Sequence, residues 1–428
     1  MSTSTDVKWV ADLREVIALR QNDPQWVTDM RQHHLDLVAD LAWPERQKTP
    51  LRGRHLDLIP LGFPTSPSSV PQSLLDTVKS PAYIAFANGE LQEVAFLDDA
   101  ARQGVIVAPL ASAVTEHRQL VEPLLGHIMD EPANRAEALN AAMWDGGAFI
   151  YIPADVKVLS PILILHYADS TRARRFVPRT LILAGPNSRV TVIERYVSSA
   201  GDEKLLFTGG VEILAEEGAH IHYGSLQNLS PNTEVFIRRQ AEVRHDANVD
   251  WSIGEFGGGL TVATDKTQLV EPGAHSTNTM VFFGSRSQRK DFDTRIVHAA
   301  PHTNSNIVAK GVMTDRARSS FTGVTDIRPG AIQSDGRQKE QTLMLSDAAR
   351  ADAVPSLLIN ENDVYAAHSA STGPIDQVAL FYLMARGLSE AAATRLFVHG
   401  FLAPVIEAIP LEILRNSVWE SVEGKLAE

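Results

Sequence analysis

The amino-acid sequence predicts a mainly β protein, with a parallel β-helix core between α-helical N-terminal and C-terminal regions. Three observations carry that prediction. First, apolar residues recur at helical spacing before about residue 145 and again after about residue 371. Second, from Gly146 to about residue 366 short runs rich in Val, Ile, Thr and Phe take over, each closed by Gly, Asn, Asp or Pro, with no helical period among them. Third, small-or-polar triplets precede apolar strands in this stretch, and their middle residues, Ala219, Ala247, Ala274 and His302, recur at steps of 28, 27 and 28. A near-constant period of that size in strand-rich sequence describes stacked coils of two or three strands each. A sandwich would show shorter turn spacing without a period, and a propeller a longer period. The expected division is a mostly helical region over 1–145, the coil over 146–370 and a helical docking domain over 371–428.

The N-terminal elements follow from local signals. Asp23 is placed to cap a helix with Pro24 at its first position, and Trp26, Val27, Met30, Leu37 and Val38 follow at helical spacing. Trp43–Pro44 ends that stretch, because proline disfavours helix in the residue before it. A polar connector runs from Glu45 to Arg54, and the Pro- and Ser-rich residues 61–80 read as an irregular excursion. A helical pair over about 115–144 is broken near Pro132.

The C-terminal elements are better punctuated. Asp376 caps a helix from Gln377 to Arg386, with Gly387 suited to its C′ position. Ser389 caps a second helix carrying Leu396, Phe397, Phe401 and Val405. Pro410 opens a third, with Leu411, Leu414, Val418 and Val422 on one stripe. The last rung of a stacked coil exposes backbone groups and apolar core, so it needs a cap or a partner, and these helices are positioned in sequence to supply or recruit one.

Composition narrows the chemistry. The 428 residues carry a net charge of −13, which opposes binding to nucleic acid. The basic cluster Arg286 to Lys290 reads as a solvated loop. Cysteine is absent, which excludes disulfides, a cysteine nucleophile and zinc or iron–sulfur ligation by thiolates of this chain. No apolar run has the length of a membrane span, and MSTSTDVKW has no basic segment followed by an apolar one, so the expected compartment is the cytoplasm. No Walker A motif, nucleophile elbow or His-Glu-x-x-His occurs. Gly257–Gly258–Gly259 reads as a turn. His220 and His222 share one strand face, but no third ligand is visible, and His298 and His302 are no better placed to hold a metal. His33–His34 and His127 read as surface or satisfied polar groups. His368 differs, because it sits where strand pattern gives way to helix and can face a subunit interface.

The stretch Asn362 to Phe401, NDVYAAHSASTGPIDQVALFYLMARGLSEAAATRLFVHGF, resembles the junction segment of the SufB/SufD family of iron–sulfur cluster assembly proteins. Matching positions include His368, Gly373, Asp376, Leu380, Phe381, Tyr382, Arg386, Gly387 and Phe401. His298, Ala300–Pro301, Lys310–Gly311–Val312, Phe321-Thr-Gly and Gly146–Gly147 extend the likeness over about residues 140–425. The resemblance implies a right-handed parallel β-helix and a scaffold role rather than an enzyme. It implies pairing with a SufB-like paralogue and docking of a SufC-like ABC ATPase, which handles the ATP, through Leu380, Phe381, Tyr382, Arg386, Gly387 and Phe401. It also implies a transient iron–sulfur cluster at the SufB interface, where His368 is the candidate interface group and metal ligand. SufB members carry a thiolate on a late strand; here Glu340 or a neighbour stands there, and Ser369 follows the histidine, so the chain resembles the SufD branch. Ser369 and Ala385 depart from the usual family residues, each small for small. Two other readings compete. One is a β-helical polysaccharide lyase or hydrolase using Asp291, Asp293 and Arg295 on one strand face. The other is a homodimeric structural protein; a SufD-like chain alone is expected to self-associate.

Overall fold

The computed structural model describes all residues except 1–3, 19, 21, 52, 53, 55, 57, 58, 60–66, 79, 97, 130, 173, 200 and 202. Its core is the expected parallel β-helix. Two 10-stranded sheets face each other, and the chain alternates between them. Sheet one starts with the antiparallel hairpin Ala82–Ala87 and Glu90–Ala95. It continues in parallel through Ile162–Ala168 and ends with Asp335–Met344 and Tyr365–Pro374. Sheet two starts with Ile106–Pro109 antiparallel to Ala148–Ile152 and ends with Arg318–Ile327 and Arg350–Ile359.

The period has a physical origin at one corner of the coil. His220, Asn248, His275, Asn304, Asp335 and Tyr365 stack in register as the first residues of successive strands. Two residues before each of the first five stands a left-handed residue: Gly218, Asp246, Gly273, His302 and Gln333, with φ between +51° and +74°. Each of these donates its N–H to a carbonyl of the next coil, those of His245, Pro272, Pro301, Ile332 and Asp363 in turn. Gly, Asp and Asn are the residue types that tolerate this conformation best, which is why such residues punctuate the sequence. The fourth repeat is shifted by one from its expected centre. Thr303, not His302, stands in register after Ala274, because the intervening coil carries one residue more.

Side chains alternate between the lumen and the outer faces. The lumen is mostly apolar, with Tyr196, Phe207, Tyr223 and Trp251 in ring contact or close stacking. It also holds two closed polar clusters. In one, the Glu194 carboxylate accepts from Thr180 at 2.8 Å and Tyr223 at 2.6 Å and lies 2.7 Å from His166 Nε2. Burial raises its pKa, but these hydrogen bonds outweigh that and hold it below the usual value. In the other, Arg239, fully buried, bridges Glu255 at 2.6 Å and Asp265 at 2.9 Å.

Helices cover both outer faces. Gln25–Asp40 and Arg135–Met143 pack with Phe149, Leu181, Leu206 and Phe236 over sheet two. The C-terminal helices Gln377–Ala385, Glu390–Ile406 and Glu412–Ala427 fold back over sheet one, where Leu402, Leu414, Val418 and Val422 meet Leu226, Phe256, Val281 and Phe283. The expected capping is present: Asp376 accepts from Val378 and Ala379 N–H at 2.9 and 3.2 Å, and Gly387 lies at φ +98° just past the helix. Gly258, in the triple-glycine turn, has φ +76°.

Several expectations are corrected. Pro24 is the cap itself, being extended, and the Asp23 carboxylate pairs with Arg31 at 2.8 Å instead. The helix Glu412–Ala427 starts two residues after Pro410, with Leu411 as its cap. The region 1–145 is less helical than expected, since it contributes the hairpin and the strand Ile106–Pro109. The helices of 115–144 are Leu110–Glu116, Arg118–Val121 and Arg135–Met143. In the Pro- and Ser-rich excursion, 61–66 and 79 lie outside the described residues, and Gln72–Leu75 forms a short helix. The last strand runs to Pro374, past the expected boundary at 370. Lys290 is not solvated; it points into the lumen, fully buried, and donates to the Gly257 carbonyl at 3.0 Å. The C-terminal helices pack on the core, as expected of at least one of their contacts; they cover the side of the coil and leave its last rung open.

The Arg239 cluster offers a direct test. Arg239→Met removes the cation that bridges two buried carboxylates and should lower stability by about 3–5 kcal/mol. Urea unfolding of the full chain measures the loss.

Candidate functional site

The C-terminal end of the coil is the first candidate. Arg350–Ile359 and Tyr365–Pro374 are the terminal strands of their sheets, so each has one backbone edge without a strand partner. Val354, Leu358, Ile359 and Tyr365 are each more than two-fifths exposed there. Contiguous exposed apolar side chains on an open sheet edge are a pairing surface. The N-terminal end differs in that the terminal strands of both sheets run antiparallel to their neighbours.

His368 sits at this open end. It is exposed, and its register partner on the preceding rung is Gln338. It continues the lumen column Tyr223, Trp251, Asn278, Ile307 and Gln338, and so is that column's last, solvent-facing member. Glu340 lies one rung below, opposite Ala370, and is 5% exposed. Thr342 donates to one of its carboxyl oxygens at 2.6 Å; the other has no hydrogen-bond partner among the described residues. Burial pushes the Glu340 carboxyl up to about 7, against the opposing effect of the Thr342 hydroxyl. Sequence reasoning placed Glu340 on this strand but did not single it out as a site residue. The available signal was a switch in the lumen column, from Ile307 and Ala309 on one rung to Gln338, Glu340 and Thr342 on the next.

The second candidate is the helix Gln377–Ala385. It is apolar all round, yet only Leu380 is fully buried. Val378, Phe381 and Tyr382 are 78%, 71% and 56% exposed, at the i, i+3, i+4 spacing of one helix face. Arg386 donates to the Tyr382 hydroxyl at 2.6 Å and stacks over its ring at 4.7 Å, which holds both side chains on the surface. The six residues expected to dock a partner therefore divide. Phe381, Tyr382 and Arg386 are presented; Leu380 packs inward; Gly387 ends the helix; and Phe401, half-buried, lies under Lys310 at 4.5 Å from its ring and accepts through its carbonyl from the same ammonium.

The remaining chemical candidates are accounted for by packing. Asp291 and Asp293 lie on the outer face of sheet two, against Arg46 at 3.6 and 3.0 Å, and Arg295 pairs with Asp326 at 3.8 Å. These carboxylates are engaged with Arg46 of the connector after the first helices. His298 is buried between the Thr303 and Ser305 hydroxyls, both at 2.8 Å, and burial pushes it down to about 4. His222 is spent on Ser252 at 3.0 Å. Among the described residues, no helix is long and apolar enough to cross a membrane.

Fold and surfaces together define a β-helical protein with an open C-terminal coil end and an exposed apolar face on the helix Gln377–Ala385. Comparison with known proteins gives the class its family. Residues 166–401 match the SufBD core domain of the SUF system for FeS cluster assembly, and residues 72–164 match the SufBD protein N-terminal region. The chain is 31% identical over 420 residues to the iron–sulfur cluster assembly protein SufD of Bacillus subtilis, covering 95% of each chain. It is 26% identical over 415 residues to an iron–sulfur cluster assembly SufBD family protein of Staphylococcus epidermidis, covering 92% of this chain and 88% of that one. The chain belongs to the SufB/SufD family of iron–sulfur cluster assembly proteins and is SufD-like within it.

Glu340 titrates in a window that folding alters. Its folded-state pKa is raised, so the folded chain binds this proton more tightly than the unfolded chain. The contribution is full below the unfolded value near 4.5 and is lost as pH rises through about 7. Glu340→Gln should therefore gain stability relative to the parent between pH 5 and 8, by on the order of 1–3 kcal/mol. Paired urea titrations across that range check the slope.

Proposed function

We propose that this chain is a non-catalytic scaffold subunit that pairs its open coil end with a cysteine-bearing SufB-like paralogue and docks a SufC-like ABC ATPase on the exposed face of Gln377–Ala385. The observation that carries the reading is the open last rung, where unpaired strand edges, exposed Val354, Leu358, Ile359 and Tyr365, and His368 converge. A paralogue built on the same coil would continue both sheets across the joint, satisfying the free backbone groups of each chain.

The nascent iron–sulfur cluster is cargo at that joint. This chain has no thiolate, so the sulfur ligands come from the partner, while His368 contributes an imidazole, a donor suited to iron. Glu340 stands one rung beneath with an unused carboxyl oxygen and can take up or release a proton near neutral pH. With no Walker A motif here, nucleotide hydrolysis is the task of the docked ATPase. Exposed Phe381 and Tyr382 beside Arg386 have the composition of an interface hot spot.

Co-purification of the full chain with SufB-like and SufC-like proteins from its own source tests both contacts. Replacing Phe381 and Tyr382 together by Ala should reduce ATPase retention about tenfold or more, with pairing to the SufB-like subunit retained. ATPase retention at the parental level would refute the docking face. His368→Ala should leave the complex intact by mass and lower the cluster reconstituted on it several-fold. Equal cluster yield would remove His368 from the site.

A further inference from the structure

We infer that His33, His34 and Glu131 form a divalent-metal site that ties the helix Gln25–Asp40 to the segment leading into Arg135–Met143. The cluster lies away from the open coil end and from the exposed C-terminal helix. One ligand-capable atom from each of the three residues lies within 4.8 Å of the other two, and His33 Nε2 lies 3.6 Å from Glu131 Oε1. The two rings meet edge-on, with centroids 5.2 Å apart. Tetrahedral donors on an ion bound at about 2.0–2.2 Å stand a little over 3 Å apart, so small rotations of two exposed side chains close the set.

The second observation is the orientation of His34. Its ring is buried, and Nδ1 lies 2.8 Å from the Met30 carbonyl, one helical turn back. A carbonyl only accepts, so Nδ1 carries the proton and Nε2 keeps the lone pair. A backbone carbonyl holding one imidazole nitrogen while the other faces outward is the usual support of a metal-ligating histidine. His34 and Glu131 also line the mouth of a cleft between the N-terminal helices and sheet two, together with Arg46, Arg179 and Phe236. The nearby cation, Arg179, is already neutralised by Glu212 at 2.6 Å. The site is thus open on the cleft side, with three protein donors and room for a fourth ligand. Two imidazoles and one carboxylate suit Zn²⁺, Co²⁺ or Fe²⁺ and do not suit Ca²⁺ or Mg²⁺.

The test uses the full chain after chelator treatment, with Co²⁺ as the spectroscopic probe and Zn²⁺ as the competitor. The parent should bind one equivalent of Co²⁺ with the visible absorption of a four- or five-coordinate ion, and Zn²⁺ should displace it. His33→Ala and Glu131→Gln change only exposed side chains, so both variants should fold. Each should weaken binding by about tenfold or more. Zn²⁺ should raise the thermal midpoint of the parent and leave that of the double variant unmoved. Parental affinity in both variants would place any bound ion elsewhere and overturn the assignment. So would the absence of saturable binding by the parent at millimolar Zn²⁺.

Discussion

Each rung of a parallel coil satisfies its backbone only through the rungs above and below it, and this constraint orders the rest of the structure. A rung at the end has half its N–H and C=O groups without partners and one side of its lumen uncovered. At the N-terminal end the chain reverses direction: Glu90–Ala95 and Ile106–Pro109 end the two sheets antiparallel to their neighbours, each still with one edge without a strand partner. At the C-terminal end it does not. Pro374 ends the last strand, and the chain leaves for the side of the coil. The helices that follow bury Leu414, Val418 and Val422 against sheet one, so their packing is satisfied without touching the problem at the end.

This arrangement separates two tasks. The helices over sheet two and sheet one shield the outer apolar faces along the coil, which lets the lumen and both faces be hydrophobic at once. The coil end and the helix Gln377–Ala385 are then two places where several apolar side chains remain exposed together. The helix is apolar around its whole circumference, yet its packing buries Leu380 and leaves Phe381 and Tyr382 outside. A helix of that kind is explained by a second neighbour.

The coil, its period and the C-terminal caps were legible in the sequence because each has a local cause. The left-handed corner demands particular residue types, and Asp376 and Ser389 each cap their helix through backbone N–H groups. The one-residue slip at His302 was not legible, since a coil can absorb an extra residue without changing its pattern. The hairpin after Ala82 had a readable signal that went unused: Asn88–Gly89, with φ +46° and +86°, is the two-residue turn that joins antiparallel strands. The lateral seat of the C-terminal helices depends on contacts nearly 200 residues apart, such as Asn228 with Ser421, and no local pattern encodes those. His33–His34 read as surface or satisfied polar groups for the same reason, since Glu131 is brought to the helix by the fold alone. His368 was found through likeness to a family, and its place as the last member of a lumen column needed the register.

The charged residues of the lumen sharpen the argument about the open end. Deep in the coil two buried charge clusters are well supplied with partners: Arg239 meets two carboxylates, and Glu194 collects donors from Thr180 and Tyr223 beside His166. At the last rungs the answer stops. Glu340 has a single hydroxyl for one oxygen and nothing among the described residues for the other, and burial holds its proton on to about pH 7. A buried acid without a counterpart costs stability, and an apolar residue in its place would pack as Ala309 does one rung earlier. The isolated chain therefore carries an unfavourable group where its backbone is also incomplete. Both deficits lie at one end of the coil, near His368, and the proposed closure of the coil by another subunit would relieve them together.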